Sequence, residues 1–303
     1  MDRRQLRTLI AVAEHESFSG AARALDTVQS NVSAHIAKLE QELEVELIDR
    51  ATLRPTNEGM VVLERARRIE REFESLDSDV ASLRDQVSGS VRVGVIGTTA
   101  RWLVPPLLTY INAHYPLVSV VILDATTSSL TLNLHSGAID IGVVNLPVDE
   151  ADLSITTLFD EDRLLVAPKG HPLFELESVT LAEVLEHELL LEAPGTPFRA
   201  MMDSVASQHG IKLRAKAEFD GMRLLTSLAF TGFGAGIVPA TAIPTGLSGD
   251  WKWIPIDGVR GRSVGLARRR RMLPSAAERV VIEGIHEVVR TTADDYQGVY
   301  PRI

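Results

Sequence analysis

The stretch TVQSNVSAHIAKLEQEL, Thr27–Leu43, decides how the rest of the chain is read. With Val32 at the centre of a helical wheel, Val28, Ile36, Leu39 and Leu43 fall in one narrow stripe, the pattern of a helix with a single buried face. Thr27 is the expected N-cap, its hydroxyl placed to accept a free amide of the first turn. The opposite face carries Ser30, Ala34, Ala37 and Gln41, flanked by Asn31, Ser33 and Lys38. Side chains this small let the helix axis come close to whatever it faces. Upstream, Leu6, Leu9, Ile10 and Ala13 share a face of a first helix. Ser17 or Ser19 caps a short second helix with Ala21, Ala22 and Leu25 inward. Short helices joined by a tight turn before the third make a helix-turn-helix; on spacing alone, any small helical bundle remains the alternative.

Such a helix lying against DNA has to be reconciled with a formal net charge of -10 over 303 residues. The acidic balance argues against general coating of nucleic acid and against anionic membrane surfaces. The charge is uneven, however. Residues 1–38 set Arg3, Arg4, Arg7, Arg23 and Lys38 against Asp2, Glu14, Glu16 and Asp26, and the run Glu40, Glu42, Glu44, Glu46 and Asp49 begins only afterwards. The chain has no cysteine, which excludes disulfides, thiolate metal sites and thiol-based redox sensing. The basic start is cut short by Glu14, His15 and Glu16, so it does not read as an export signal. The uncharged stretch Leu224–Gly249 holds Pro239, Pro244 and five glycines, and reads as a buried core segment rather than a membrane span. A cytoplasmic protein without membrane contact is expected.

After Leu47, IDRATLRPTNEG places Arg50 and Arg54 around a turn, which fits a short wing beside the third helix. From Val62 the spacing tightens: Val62, Ala66, Ile69, Phe73, Leu76, Val80, Leu83 and Val87 alternate steps of four and three, with charges between them. An a/d repeat of this length marks a coiled-coil seam, and a lone helix with that stripe exposed needs a partner. Residues 59–88 are therefore expected to be a dimerisation helix with Ile69, Phe73, Leu76, Val80 and Leu83 at its seam, ending at the linker Ser88–Ser90.

Beyond Val91, short β-rich runs alternate with helical patterns: VRVGVIG, VSVVIL, DIGVV, LLVAP, LLLEA, AEF, GIVPA, WKWIPI and SVGLAR. This alternation argues for an α/β domain with mostly parallel central strands, long enough for two lobes. GTTARW at Gly97 and GTPFRA at Gly195 echo each other; each follows a strand and opens a helix, where free amides favour an anion. Ordinary N-caps explain Thr98 and Thr196 equally well.

No Walker loop, HExxH or GxSxG appears, and no acid, base or nucleophile constellation supports an enzyme. GFGAG at Gly232 comes after a helix and before a strand, the reverse of a dinucleotide fingerprint, and reads as a tight turn. The eight histidines show no metal-ligand spacing, and Arg268–Arg271 reads as a solvated loop. No cofactor is expected.

The assembly resembles the LysR-type transcriptional regulators over essentially the whole chain. The resemblance rests on LRTLIAVAEHESFSGAARALDTVQSNVSAHIAKLEQEL, RPTNEG, RVGVIGTTARWLVPPLLTYINAHYP, GAIDIGVV, LVAPKGHPL and GFGAGIVPA, in that order. It implies an all-α winged helix-turn-helix domain (1–58), a linker helix (59–88) and an α/β effector domain (91–303). The effector domain would have two Rossmann-like, periplasmic-binding-protein-like lobes: lobe I about 91–162 and 266–303, lobe II about 163–265, with crossings near Asp162 and Gly265. It also implies that Gln29, Ser30, Asn31 and Ser33 reach bases or phosphates, that Lys38 reaches the backbone, and that Arg50 and Arg54 act from the wing. A small-molecule effector, anionic in one reading, would bind between the lobes near Thr98, Thr99, Thr127, Ser128, Asn145, Thr196 and Phe198. The implied partners are a double-stranded DNA operator, further copies of the chain as homodimer and homotetramer, and RNA polymerase. Ala34 and His35 stand where many members carry an arginine, Val28 stands where a capping serine is common, and the wing is about two residues short. A ligand receptor without a DNA role, built on the α/β half alone, is the runner-up.

Overall fold

The computed structural model describes residues 1–83, 86–246, 248–259, 261–270 and 272–303. It opens with α1 (Arg3–His15), α2 (Phe18–Ala24) and α3 (Gln29–Leu43). Asp2 and Gln5 form a capping box at α1, and the Ser17 hydroxyl accepts the Gly20 amide at α2. The third helix starts differently. Its N-cap position is Val28, which supplies no side-chain cap. The Thr27 hydroxyl, one residue too early, accepts instead from the Asn31 side-chain amide at 3.0 Å, so the expected Thr27 cap is corrected. The buried stripe is also narrower than expected. Val32, Ile36 and Leu39 are fully buried with Leu6, Leu9, Val12, Leu47 and Ile48, whereas Val28 is 59% exposed and Leu43 lies at the margin.

An Ile48–Pro55 bridge closes the wing, and the Asp49 carboxylate accepts the amides of Ala51 and Thr52 at 2.8 Å each to set its turn. Next comes α4 (Asn57–Ser82), capped by Thr56. Its Gly59 lies so close to the Leu47 carbonyl that any Cβ there would overlap it. The helix ends at Ser82, with Leu83 as C-cap, rather than continuing to residue 88. Val87 packs instead against the core of the first lobe, and Gly89 and Ser90, expected as linker, already belong to a strand.

The remaining elements are β1 (Gly89–Val95), α5 (Gly97–His114), β2 (Val118–Asp124), α6 (Thr127–Ser136), β3 (Ile141–Asn145), β4 (Leu153–Glu161), β5 (Arg163–Pro168), β6 (Val179–Thr180), α7 (Leu181–Leu185), β7 (Glu188–Glu192), α8 (Pro197–Gln208), β8 (Arg214–Phe219), α9 (Met222–Phe230), β9 (Ala235–Pro239), a 3₁₀ turn (Ala240–Ala242), β10 (Trp251–Asp257), β11 (Arg262–Arg269), α10 (Ala276–Thr292) and β12 (Val299–Pro301). They form two six-stranded sheets, ordered β12-β4-β11-β3-β1-β2 and β6-β10-β5-β9-β7-β8.

Each sheet has a parallel trio at one end: β3, β1 and β2 in the first, and β9, β7 and β8 in the second. Beside each trio one strand is reversed, β11 against β3 and β4, and β5 against β9 and β10, while β4 and β10 run with the trios, so the sheets are mixed with most strands sharing one direction. The whole of β11 pairs with β3 and β4, which places the second crossing before Arg262 and not at Gly265. Gly265 is a bulge position, where a Cβ would press on Leu146 and the Thr156 carbonyl at 3.0–3.1 Å; close packing, not a hinge, explains that glycine. Among the described residues no helix is long and apolar enough to cross a membrane. Gly232, at φ +80°, makes the helix-to-strand turn read from GFGAG.

Candidate functional site

Two sites emerge from this frame. The first is the outer face of α3. Burial of Val32, Ile36 and Leu39 turns Gln29, Ser30, Asn31, Ala34, Ala37 and Lys38 outward, with Ser33 half-buried at the edge. His35 is tied inward, its Nδ1 3.0 Å from the Thr8 hydroxyl. The acidic run that follows is partly structural. Glu40 accepts the Leu47 and Ile48 amides at 2.9 and 3.2 Å and pairs with Arg50, while Glu42 pairs with the N-terminal amine. The carboxylates nearest the reading face are thus turned toward cations and amides of their own domain. Both wing arginines are held the same way: Arg50 by Glu40, and over the Phe18 ring, and Arg54 by Glu16 at 3.1 Å. The Arg54–Glu16 pair is exposed at both ends and weak enough to exchange for phosphate, whereas Glu40 is largely buried beneath Arg50.

The second site lies at the carboxyl ends of the parallel strands, where open α/β sheets bind ligands. Helix α5 starts there without a side-chain cap. The Thr98 hydroxyl accepts from Arg262 at 2.8 Å, and Arg262 donates to Glu161 at 2.7 Å. Glu161 is fully buried and also accepts the Thr241 amide at 2.8 Å, fastening both crossings and the 3₁₀ turn in one knot. The Thr127 hydroxyl accepts the Asn145 amide at 3.0 Å, and Ser128 is exposed beside it. Thr99 Oγ1, Asn145 Oδ1 and Thr241 Oγ1 are buried with no hydrogen-bond partner among the described residues.

On the second lobe, Thr196 caps α8 by accepting the Arg199 amide at 3.1 Å, the ordinary N-cap. Phe198 is buried beneath the Arg163 guanidinium, 3.5 Å from its ring centroid. Burial lowers the Arg163 pKa to about 10 although Glu192, 3.5 Å away, opposes the shift. Arg223 on α9 reaches across to Asp124 at the end of β2 and closes over Gly97. The structure therefore brings Thr98, Thr99, Thr127 and Asn145 together on the first lobe and gives Thr196 and Phe198 local packing roles. Sequence reasoning missed Glu161, Arg163, Thr241 and Arg262. For Glu161, Arg163 and Arg262 the one signal was charge at the mouth of apolar strands, in FDEDRLLV and GRSVGLA; Thr241 carried none. Among the described residues no cluster of histidine or acidic side chains is arranged to hold a metal.

A small helix-turn-helix domain, a long connecting helix and a two-sheet α/β domain together have the architecture of a DNA-binding regulator. Comparison with known proteins agrees. Residues 3–60 match the bacterial regulatory helix-turn-helix proteins of the lysR family, and residues 84–290 match the LysR substrate binding domain. The chain belongs to the LysR family and is a DNA-binding transcriptional regulator, not an enzyme. It is 29% identical to a probable hydrogen peroxide-inducible genes activator of Mycobacterium leprae, covering 94% of each chain. It is 27% identical to the transcriptional dual regulator OxyR of Escherichia coli, covering 98% of this chain and 97% of that one. Among solved structures, full-length OxyR from Pseudomonas aeruginosa superposes with a TM-score of 0.75 at 23% identity over 98% of both chains. Full-length CbnR in complex with its target DNA gives 0.68 at 26% identity, over 97% of this chain and 100% of that one.

Proposed function

We propose that this chain is a cytoplasmic, homo-oligomeric regulator that recruits or blocks RNA polymerase at operators read by paired copies of α3. Gln29, Ser30, Asn31 and Ser33 meet bases or phosphates, and Lys38, Arg50 and Arg54 meet the backbone. Amide side chains suit adenine, and hydroxyls suit either base or phosphate. Pairing runs through α4, whose Ile69, Phe73, Leu76, Val80 and Leu83 are exposed in the single chain. Two linked reading heads supply the avidity that a weakly basic single head lacks. The solved complex of CbnR with target DNA, a relative by fold, supports the DNA reading.

The effector is a small polar molecule held between the lobes. The carrying observation is the pair of buried, unpartnered oxygens, Thr99 Oγ1 and Asn145 Oδ1, beside the Thr98 and Thr127 hydroxyls at the strand ends. An anionic effector is less favoured, because Arg262 and Arg163 already face Glu161 and Glu192. The relatives are named for hydrogen peroxide, but a chain without cysteine cannot answer peroxide through a thiol. Genome-wide mapping of bound DNA tests the reading. Discrete sites built from two half-sites, spaced by whole helical turns, are expected. A chain that occupies no discrete sites would sink it.

A further inference from the structure

Helix α6 touches both halves of the regulator. Its amino end lies at the effector cleft, where the Thr127 hydroxyl accepts the Asn145 amide at 3.0 Å. Its carboxyl end, about 15 Å away at 1.5 Å per residue, presents the free carbonyls that every helix leaves there. Three guanidiniums take them. Arg269 donates to the Leu134 carbonyl at 2.8 Å and to the Ile139 carbonyl just beyond the helix at 3.1 Å. The other two come from the linker helix: Arg68 to the His135 carbonyl and Arg71 to the Ser136 carbonyl at 3.3 Å.

The clamp is built, not incidental. Arg71 is buried, with Asp140 4.0 Å from its Nε and burial lowering its pKa to about 10. Arg269 meets the same carboxylate at 3.9 Å, and Asp140 also accepts the Arg92 amide of β1 at 2.8 Å. Gly137, the left-handed C-cap at φ +70°, leaves room for Arg71; a Cβ at that position would overlap the guanidinium. Two turns further along α4, the Ser78 hydroxyl and the Asp79 carboxylate accept the Ala277 and Ala276 amides at 3.2 and 2.8 Å, so the linker also caps α10. The linker is therefore fixed to the first lobe at a helix carboxyl end and at a helix amino end, and the first of these helices reaches back through Thr127 to Asn145.

We propose that α6 is the strut that couples the cleft to the DNA-binding half, with Arg68 and Arg71 as its positioning residues on the linker helix. This rests on the cleft being the effector site, and it adds the route by which occupancy is felt. An axial shift or rotation of α6 about its Thr127–Asn145 anchor moves the carbonyls that hold the linker and so changes the angle at which α4 leaves the lobe. Because coupling is reciprocal, loosening either end must be felt at the other.

Hydrogen–deuterium exchange on the full chain reads this without effector or DNA. Thr127→Val removes the cleft anchor at nearly constant shape. Exchange across 66–75 of α4 is expected to rise at least threefold. In return, Arg71→Gln, and the milder Arg68→Gln should Arg71→Gln fail to fold, are expected to raise exchange across 126–130 and 143–146 by a similar factor. Thr98→Val, which removes a cleft hydrogen bond from α5 instead, is expected to leave 66–75 unchanged. Changes confined to each variant's own end, or a Thr98→Val effect equal to that of Thr127→Val, would overturn the strut. Failure there leaves the regulator reading intact, and absence of bound DNA would leave this result unaffected.

Discussion

Glu278 lies in the first turn of α10, where its side chain accepts the Ser275 amide and faces Asp140, Arg269 and Glu72 near the linker junction. Burial first, and the Asp140 carboxylate second, raise its pKa from 4.5 to about 7, against the downward pull of the Ser275 amide and Arg269. The folded chain therefore holds a proton that the unfolded chain releases between pH 4.5 and 7. The sign follows: this group favours folding fully below pH 4.5, loses that advantage as pH rises through the window, and contributes a constant penalty above 7. At 1.36 kcal/mol per pKa unit, trimmed for partial exposure, the penalty is about 2 kcal/mol. Glu278→Gln keeps an oxygen for the Ser275 amide but cannot ionise. Urea unfolding followed by tryptophan fluorescence suits the assay, since Trp102, Trp251 and Trp253 all lie in the effector domain. The variant should match the natural chain at pH 4 and exceed it by about 2 kcal/mol at pH 8. A difference that is flat with pH, or a less stable variant at pH 8, refutes the electrostatic account of the junction.

Two further outcomes follow from the fold. Phe73→Asp with Leu76→Asp places charges in the exposed stripe of α4 and should lower the sedimentation mass and weaken DNA binding at least tenfold; an unchanged mass would place the subunit interface elsewhere. Glu161→Ala leaves Arg262 without its buried partner and the Thr241 amide without an acceptor, a loss of about 3 kcal/mol or more that a thermal scan detects; a shift within error would mean that the knot at the crossings contributes little.

Most of the architecture was legible because apolar periodicity survives tertiary context. The Val32–Ile36–Leu39 stripe and the strand–helix alternation each report a buried face, and the unbroken spacing along α4 reports a long helix whose stripe stands exposed in the single chain. What was not legible depends on neighbours distant in sequence. Strand β4, LSITTLFDE, mixes hydroxyl and charged residues with apolar ones and its burial does not alternate strictly, so it carries no clean period-two signal. The end of α4 was overrun because Val87 keeps the heptad spacing although it serves the first lobe. Arg268–Arg271 read as solvated, yet Arg269 is largely buried against α6 and Asp140; Arg271 lies outside the described residues. The hydroxyl-bearing segments at Thr98, Thr127 and Thr196 were legible as helix starts, because helix starts are visible in sequence. The charged knot was not, because nothing in FDEDRLLV says that Glu161 meets an arginine 101 residues later.

The claim that α3 reads DNA is tested most directly by the affinity of Gln29→Ala for a mapped binding site and for an unrelated duplex, measured by fluorescence anisotropy at one fixed salt concentration. A base-contacting amide contributes about 1–3 kcal/mol of discrimination. The site affinity should therefore fall roughly fivefold to a hundredfold, while binding to the unrelated duplex, carried by phosphate contacts, stays the same. Equal losses on both duplexes, or no loss on either, would contradict the placement of α3 in the groove.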